Sequence, residues 1–306
     1  MSIFKSGKYR KVKGKNAAQI KILTLRMTLK QFFFCFIATI SLCQCSKNEA
    51  TAPSYLKINQ IDLKTISNTQ GSSSAKISDA WIYMDDQLLG AFELPCEIPV
   101  SHSSNVKVSI AAGIKNTGQS SIRERYPFYT WYDTVVNLSQ NECFLTPTVS
   151  YYNTTQFLFN GDFESNNLYF LKESDSDTNL YKSNNSFEGL ACGEMSVDSN
   201  RKKGKIKSAL QYNIPTAGKR IFIELNYACD ASVIAGLILN PGTSNNHIPI
   251  ITLSSTKMQW NKIYIDLTNT LAQANSSGKF EFYFEIQQIS GEDNKVQLDN
   301  IKLVSQ

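Results

Sequence analysis

Phe280-Glu281-Phe282-Tyr283-Phe284-Glu285-Ile286-Gln287 decides the fold. Phe280, Phe282, Phe284 and Ile286 alternate with Glu281, Tyr283, Glu285 and Gln287, the period-two pattern of a strand that buries one face. Upstream lie further strand-like stretches at Phe157–Glu164, Ile221–Tyr227 and Trp260–Leu267, with a loop at Ser186-Phe187-Glu188-Gly189. Downstream, Val296-Gln297-Leu298-Asp299-Asn300-Ile301-Lys302-Leu303 closes the chain with an irregularity. Val296 and Leu298 share one phase, and Ile301 and Leu303 the other. Both pairs can face one core only if a bulge sits at Asp299-Asn300. Some eight strands, joined by loops and with no long helical stretch, predict a jelly roll over residues 155–306.

The first half, residues 54–152, reads as a second β module. Asp79–Met84 and Leu88–Phe92 flank the polar turn Asp85-Asp86-Gln87, a hairpin signal. Pro95 and Pro99 bracket Cys96, while Val106, Val108 and Ile110 alternate with Lys107, Ser109 and Ala111. The expected fold is therefore all-β, an N-terminal β-sandwich followed by a C-terminal jelly roll. Abundant Tyr and Phe, 14 and 17 of the 306 residues, agree with strands.

Two resemblances sharpen this reading. Asn160-Gly161-Asp162-Phe163-Glu164, the run Trp260 to Leu267 and Leu298-Asp299-Asn300-Ile301-Lys302-Leu303 together resemble carbohydrate-binding modules of families 4, 9 and 22, within the galactose-binding-like jelly rolls. The resemblance implies glycan binding on a concave face, with Trp260, Tyr264 and Tyr283 as contributors. It also implies a structural calcium ion between first and last strands, for which Asp162, Glu164, Glu188 and Asp299 are the matching oxygen donors. Residues 80–114 resemble PEGA-type β-sandwich domains, with Gln87 where that turn carries glycine.

Lys30 precedes the apolar run Phe32–Cys45, which is shorter than the ~20 residues of a membrane span and reads as an export signal. Leu42-Cys43-Gln44-Cys45 resembles a lipoprotein lipobox, implying cleavage before Cys45 and a lipid there. Met27-Thr28-Leu29-Lys30 is itself a well-formed signal start, so residues 1–26 are expected to be untranslated. Residues 46–53 form a polar tether whose Ser46-Lys47-Asn48-Glu49 start resembles surface-export tags. The expected location is the outer membrane, lipid-anchored on its periplasmic or cell-surface face. The chain carries 31 Lys+Arg and 26 Asp+Glu, but nine of the cations and none of the acids lie in residues 1–45. Residues 46–306 therefore hold 22 cations and 26 acids, a net −4, which removes the electrostatic basis for nucleic-acid binding.

Tyr126-Pro127-Phe128-Tyr129-Thr130-Trp131-Tyr132 concentrates five aromatics. They form either a platform for sugar rings or a partner, or packing that fills the seam between halves. Cys96 with Cys143, and Cys192 with Cys229, give one pair per half, which permits two disulfides in an oxidising compartment. Buried free thiols are the alternative. Arg201-Lys202-Lys203-Gly204-Lys205-Ile206-Lys207 reads as a solvated loop, with lipid phosphate or acidic glycan as functional alternatives. His102 and His247 stand alone, and no nucleophile elbow, HExxH or phosphate loop occurs. The expectation is a non-enzymatic glycan-binding lipoprotein. The alternatives are a structural subunit of an outer-membrane assembly, partnered by an envelope protein, and, as the least favoured, a glycan hydrolase.

Overall fold

The computed structural model describes residues 53–101, 105–138, 142–216, 218–274, 277–289 and 291–306. The leader, Cys45 and His102 lie outside these residues, and Pro53–Gln306 packs as one compact unit. Two single helical turns, Ser67–Gln70 and Thr268–Ala272, interrupt an otherwise all-β structure.

The first half contributes β1 (Ser54–Ile58), β2 (Asp62–Lys64), β3 (Asp79–Met84), β4 (Gln87–Glu93), β5 (Cys96–Val100), β6 (Asn105–Lys115), β7 (Arg123–Arg125), β8 (Tyr132–Asn137), β9 (Glu142–Leu145) and β10 (Thr148–Ser150). One sheet has the order β4-β3-β6-β7, and a second the order β5-β1-β9. Leu56, Ile58, Ile98 and Val100 from the second sheet meet Ala80, Ile82, Val108 and Ile110 from the first in a shared core, which makes this half a sandwich. The β3–β4 hairpin closes through Asp85 and Asp86, both in the left-handed region at φ 46 and 64. That geometry suits the right-handed twist of the flanking strands. Strands β7 and β8 lie end to end on one edge of β6, β7 opposite 113–115 and β8 opposite 105–110. Residues 126–131 are the connection between them, folded back over the edge of β6 where Tyr126 N–H bonds Ala112 O at 2.9 Å.

The second half contributes β11 (Gln156–Gly161), β12 (Phe170–Lys172), β13 (Tyr181–Ser183), β14 (Cys192–Val197), β15 (Lys203–Ser208), β16 (Tyr212–Asn213), β17 (Ile221–Cys229), β18 (Val233–Leu239), β19 (Asn246–Leu253), β20 (Asn261–Asp266), β21 (Lys279–Gln287) and β22 (Asn294–Ser305). They form two six-stranded sheets: β13-β14-β22-β17-β20 with β11 also on β22, and β12-β15-β21-β18-β19 with β16 on β21. Phe280, Phe282, Phe284 and Ile286 are fully buried and face Val296, Leu298, Ile301 and Leu303 across the jelly-roll core. Each such side chain contributes about 1.5–3 kcal/mol by leaving water. The bulge required in the last strand is present. Glu224 pairs with Lys302 and Asn226 with Asp299, so two residues of β17 oppose three of β22, with Asn300 at φ 46.

Beyond the bulge, Lys302 and Val304 face away from the jelly-roll core, as do Phe222 and Glu224 of β17 and Tyr264 of β20. The first half covers this outer face, and Phe222, Tyr264 and Val304 join its apolar core. Strand β17 is consequently buried along all nine of its residues.

One expectation is corrected here, and one pair of alternatives is decided. The cationic run at 201–207 is not a solvated loop: from Lys203 onward it is β15, with Ile206 and Ser208 turned into the protein. Lys203, Lys205 and Lys207 point outward and pair with Asp175 at 2.6 Å, Glu285 at 3.4 Å and Glu173 at 2.9 Å, respectively. Of the two readings of the cysteines, free thiols hold among the described residues: Cys96, Cys143, Cys192 and Cys229 are all unbridged. Cys96 is opposite Ile58 on one side of β1 and Cys143 opposite Leu56 on the other. Cys192 and Cys229 likewise flank β22. Two strand spacings are about 9.5 Å, too far for the roughly 4.4–6.8 Å between Cα atoms of a disulfide.

Candidate functional site

The five aromatics of 126–132 divide between seam and surface. Tyr126, Phe128 and Tyr129 are buried, so of the two readings of this cluster these three follow the packing of the seam and not the exposed platform. Their reason for burial is Phe222, whose ring lies 5.5 Å from Tyr126 and 5.7 Å from Phe128, both edge-on, and Tyr264, 4.8 Å from Tyr126. The Tyr129 hydroxyl meets that of Tyr264 at 3.3 Å, while Glu224 accepts hydrogen bonds from the hydroxyls of Tyr126 at 2.6 Å and Tyr151 at 2.8 Å. Lys262 Nζ stands 3.7 Å from the same carboxylate, and Lys302 Nζ donates to Ser72 O at 2.6 Å. Burial pushes Lys302 down to about 8 and lowers Lys262 as well. Burial, and then the Glu224 charge, push Tyr126 and Tyr151 well above the usual phenol range. This constellation is sealed from solvent and fastens one half to the other.

Trp131 and Tyr132 remain half-buried. Trp131 lies 4.9 Å from the ring of Tyr83 and, with Trp81, walls an open groove of about 490 Å³ beside the seam. Trp81 and Tyr83 occupy the outward phase of β3, opposite to Ala80 and Ile82. The indole of Trp81 approaches β6 closely because residue 113 is glycine: a Cβ there would fall 2.9 Å from Trp81 Cδ1 and Nε1. Tyr152 and three arginines complete the lining.

The arginines differ in their partners. Arg123 pairs with the fully buried Asp79, and with Glu93 at 2.9 Å. Together with Lys115 it holds the Glu93 carboxyl down to about 2. Arg220 pairs with Glu124 at 3.0 Å and Asp266 at 3.2 Å. Arg125 is exposed, and its guanidinium sits 5.5 Å from the Trp131 ring centroid and 5.9 Å from that of Trp81. Its one hydrogen bond runs from Nη1 to Tyr83 Oη at 3.2 Å, and no carboxylate pairs with it among the described residues. Sequence reasoning reached Trp131 but missed Trp81 and Arg125. The available signal was the pair of large aromatics on the non-core phase of a strand whose other phase is Ala80 and Ile82.

The other expected groups do not converge on a site. Tyr264 is buried in the seam; Tyr283 is buried beneath Lys205, whose Nζ lies 4.8 Å from its ring; Trp260 packs edge-on to Phe187 at 5.9 Å. Nor do the four expected calcium ligands fit a cation. Asp299 Oδ2 accepts the N–H of Phe187 at 3.0 Å and of Glu188 at 3.2 Å, and Oδ1 that of Asn300 at 2.8 Å. Glu164 accepts the N–H groups of Leu190 and Ala191, Asp162 those of Glu164 and the Tyr169 hydroxyl, and Glu188 bonds Ser72 and Asn300. Calcium asks for 6–8 oxygens, and no group of three His, Cys, Asp or Glu able to hold a metal ion occurs among the described residues. These carboxylates cap loop N–H groups instead, and burial pushes Asp299 up to about 6.

No protein-family model and no curated protein matches the chain. Among solved structures it is similar to a carbohydrate-binding module studied for promiscuous specificity within the β-sandwich superfamily, at 11% identity over 74% of this chain and 84% of that one, with a TM-score of 0.34. It is similar also to the xylan-binding domain of family 22, at 12% identity over 48% and 93% of the two chains and a TM-score of 0.34. A third is the family 11 module of a cellulosomal cellulase of Clostridium thermocellum, at 16% identity over 49% and 93%, with a TM-score of 0.33.

Proposed function

We propose that this chain is a non-catalytic glycan-binding lipoprotein of the cell envelope, held to the membrane by a lipid on Cys45. The observation that carries the reading is the groove between Trp81 and Trp131. Pyranose rings offer C–H faces that pack on indoles and hydroxyls that bond a polar rim, and here two half-buried indoles, Trp81 on β3 and Trp131 in the β7–β8 connection, are set with Tyr152 among arginine donors. The nearby carboxylates support binding over hydrolysis. Asp79, Glu93 and Glu124 are each engaged by Arg123 or Arg220, whereas glycosidic cleavage needs one carboxyl kept protonated and a second poised as base or nucleophile. The leader and its terminal cysteine support the envelope location.

Affinity gel electrophoresis through xylan, laminarin, galactan, homogalacturonan and chondroitin sulfate tests the binding. Retardation by at least one of them, lost in Trp81→Ala and Trp131→Ala, is expected. Unaltered mobility in all five rejects the proposal. Palmitate labelling that survives Cys45→Ala rejects the anchor.

A further inference from the structure

We infer that the groove selects glycans carrying an anionic group, a uronate carboxylate or a sulfate ester, and that Arg125 receives it. The inference rests on the glycan-binding reading and deepens it. Three arginines line the groove, and two are already neutralised: Arg123 by Asp79 and Glu93, Arg220 by Glu124 and Asp266. Arg125 is not. It is exposed, and among the described residues no carboxylate meets it.

What holds Arg125 in place is aromatic rather than ionic. Its guanidinium lies over both Trp81 and Trp131, and one of its five N–H donors is spent on the Tyr83 hydroxyl. A guanidinium fixed by stacking has lost its conformational freedom in advance while its edge donors stay free, the arrangement suited to bidentate capture of a carboxylate or sulfate. The residues that grip it are those that would stack the sugar, so ring and anion are read side by side.

The full-length chain, solubilised in detergent, is to be titrated calorimetrically with homogalacturonan hexamers, their carboxyl-reduced neutral counterparts and a sulfated galactan oligomer. Wild type is expected to favour an acidic oligomer over the neutral one by at least about tenfold, the weight of one charge-assisted bidentate contact, and the preference is expected to shrink as salt rises. Arg125→Gln is expected to bring acidic and neutral ligands to one level, and Arg125→Lys to recover only part. The uronate and sulfate arms tell the two anions apart. Equal binding of neutral and acidic oligomers by wild type overturns the inference and leaves glycan binding standing, as does an acidic preference that persists in Arg125→Gln. Absence of binding by every oligomer overturns the inference, and retardation or its absence in the five polysaccharide gels then decides separately whether glycan binding stands. Thermal unfolding of each variant at the wild-type temperature verifies the fold.

Discussion

Tyr126 donates its hydroxyl hydrogen to the Glu224 carboxylate across 2.6 Å, from the β7–β8 connection to the middle of β17. Glu224 is fully buried, and Tyr151 and Lys262 share it. A carboxylate in that position is tolerable only because donors surround it.

Glu224→Ala would leave the hydroxyls of Tyr126 and Tyr151 without their acceptor and the Lys262 amine without its counter-charge. A loss of about 3–5 kcal/mol is expected from removing one partner of a buried charged network, read as the shift in urea midpoint at constant slope. Glu224→Gln keeps an acceptor oxygen and is expected to lose less. Equal stability of the alanine variant and the wild type would show that the seam does not depend on this group.

Asp299 gives the stability a distinct pH signature. Burial raises its folded-state value to about 6, above the ordinary carboxylate value near 3.8. The folded state therefore binds more protons than the unfolded one between those values. The stabilisation is complete below pH ~4 and lost as pH climbs through ~6, a swing of about 3 kcal/mol at 1.36 kcal/mol per unit. Denaturant melts from pH 4 to 7 are expected to show this fall, and Asp299→Ala to remove it. A wild-type profile that rises across the same window contradicts it.

Gly113 makes room for the Trp81 indole and for Asp79 Cβ, each 2.9 Å from where a side chain would begin. Gly113→Ala is expected to cost about 1–3 kcal/mol through overpacking and to lift Trp81 off β6. Retardation in polysaccharide gels should then fall further than the stability loss explains. Undiminished retardation would show that the placement of Trp81 is irrelevant to binding.

Much of the jelly roll was legible because its signals are local. The period-two run at 280–287 and the phase flip at Asp299-Asn300 each fix a strand and its core face without reference to anything distant. The cationic run was misread for the opposite reason. Gly204, Ile206 and Ser208 carry the strand period, but what settles Lys205 and Lys207 is Glu285 and Glu281, supplied by a strand some eighty residues later. The choice between disulfides and free thiols stayed open for a similar reason, since one cysteine pair per half does not reveal that a strand runs between its members. Tyr126, Phe128 and Tyr129 are buried by the outer face of β17, and the sequence around Glu224 carries no mark that this face is covered. The groove needed Trp81 of β3 and Trp131 of the β7–β8 connection, fifty residues apart, to be seen side by side.

The most direct test of glycan binding at the groove is tryptophan fluorescence. The chain has three tryptophans, so Trp260→Phe leaves only Trp81 and Trp131 to report. Titrating that variant with the polysaccharides of the affinity gels is expected to shift or quench the emission saturably, with the change lost in Trp131→Phe. Emission that stays constant while the glycan demonstrably binds would place the binding elsewhere and contradict the assignment of this groove.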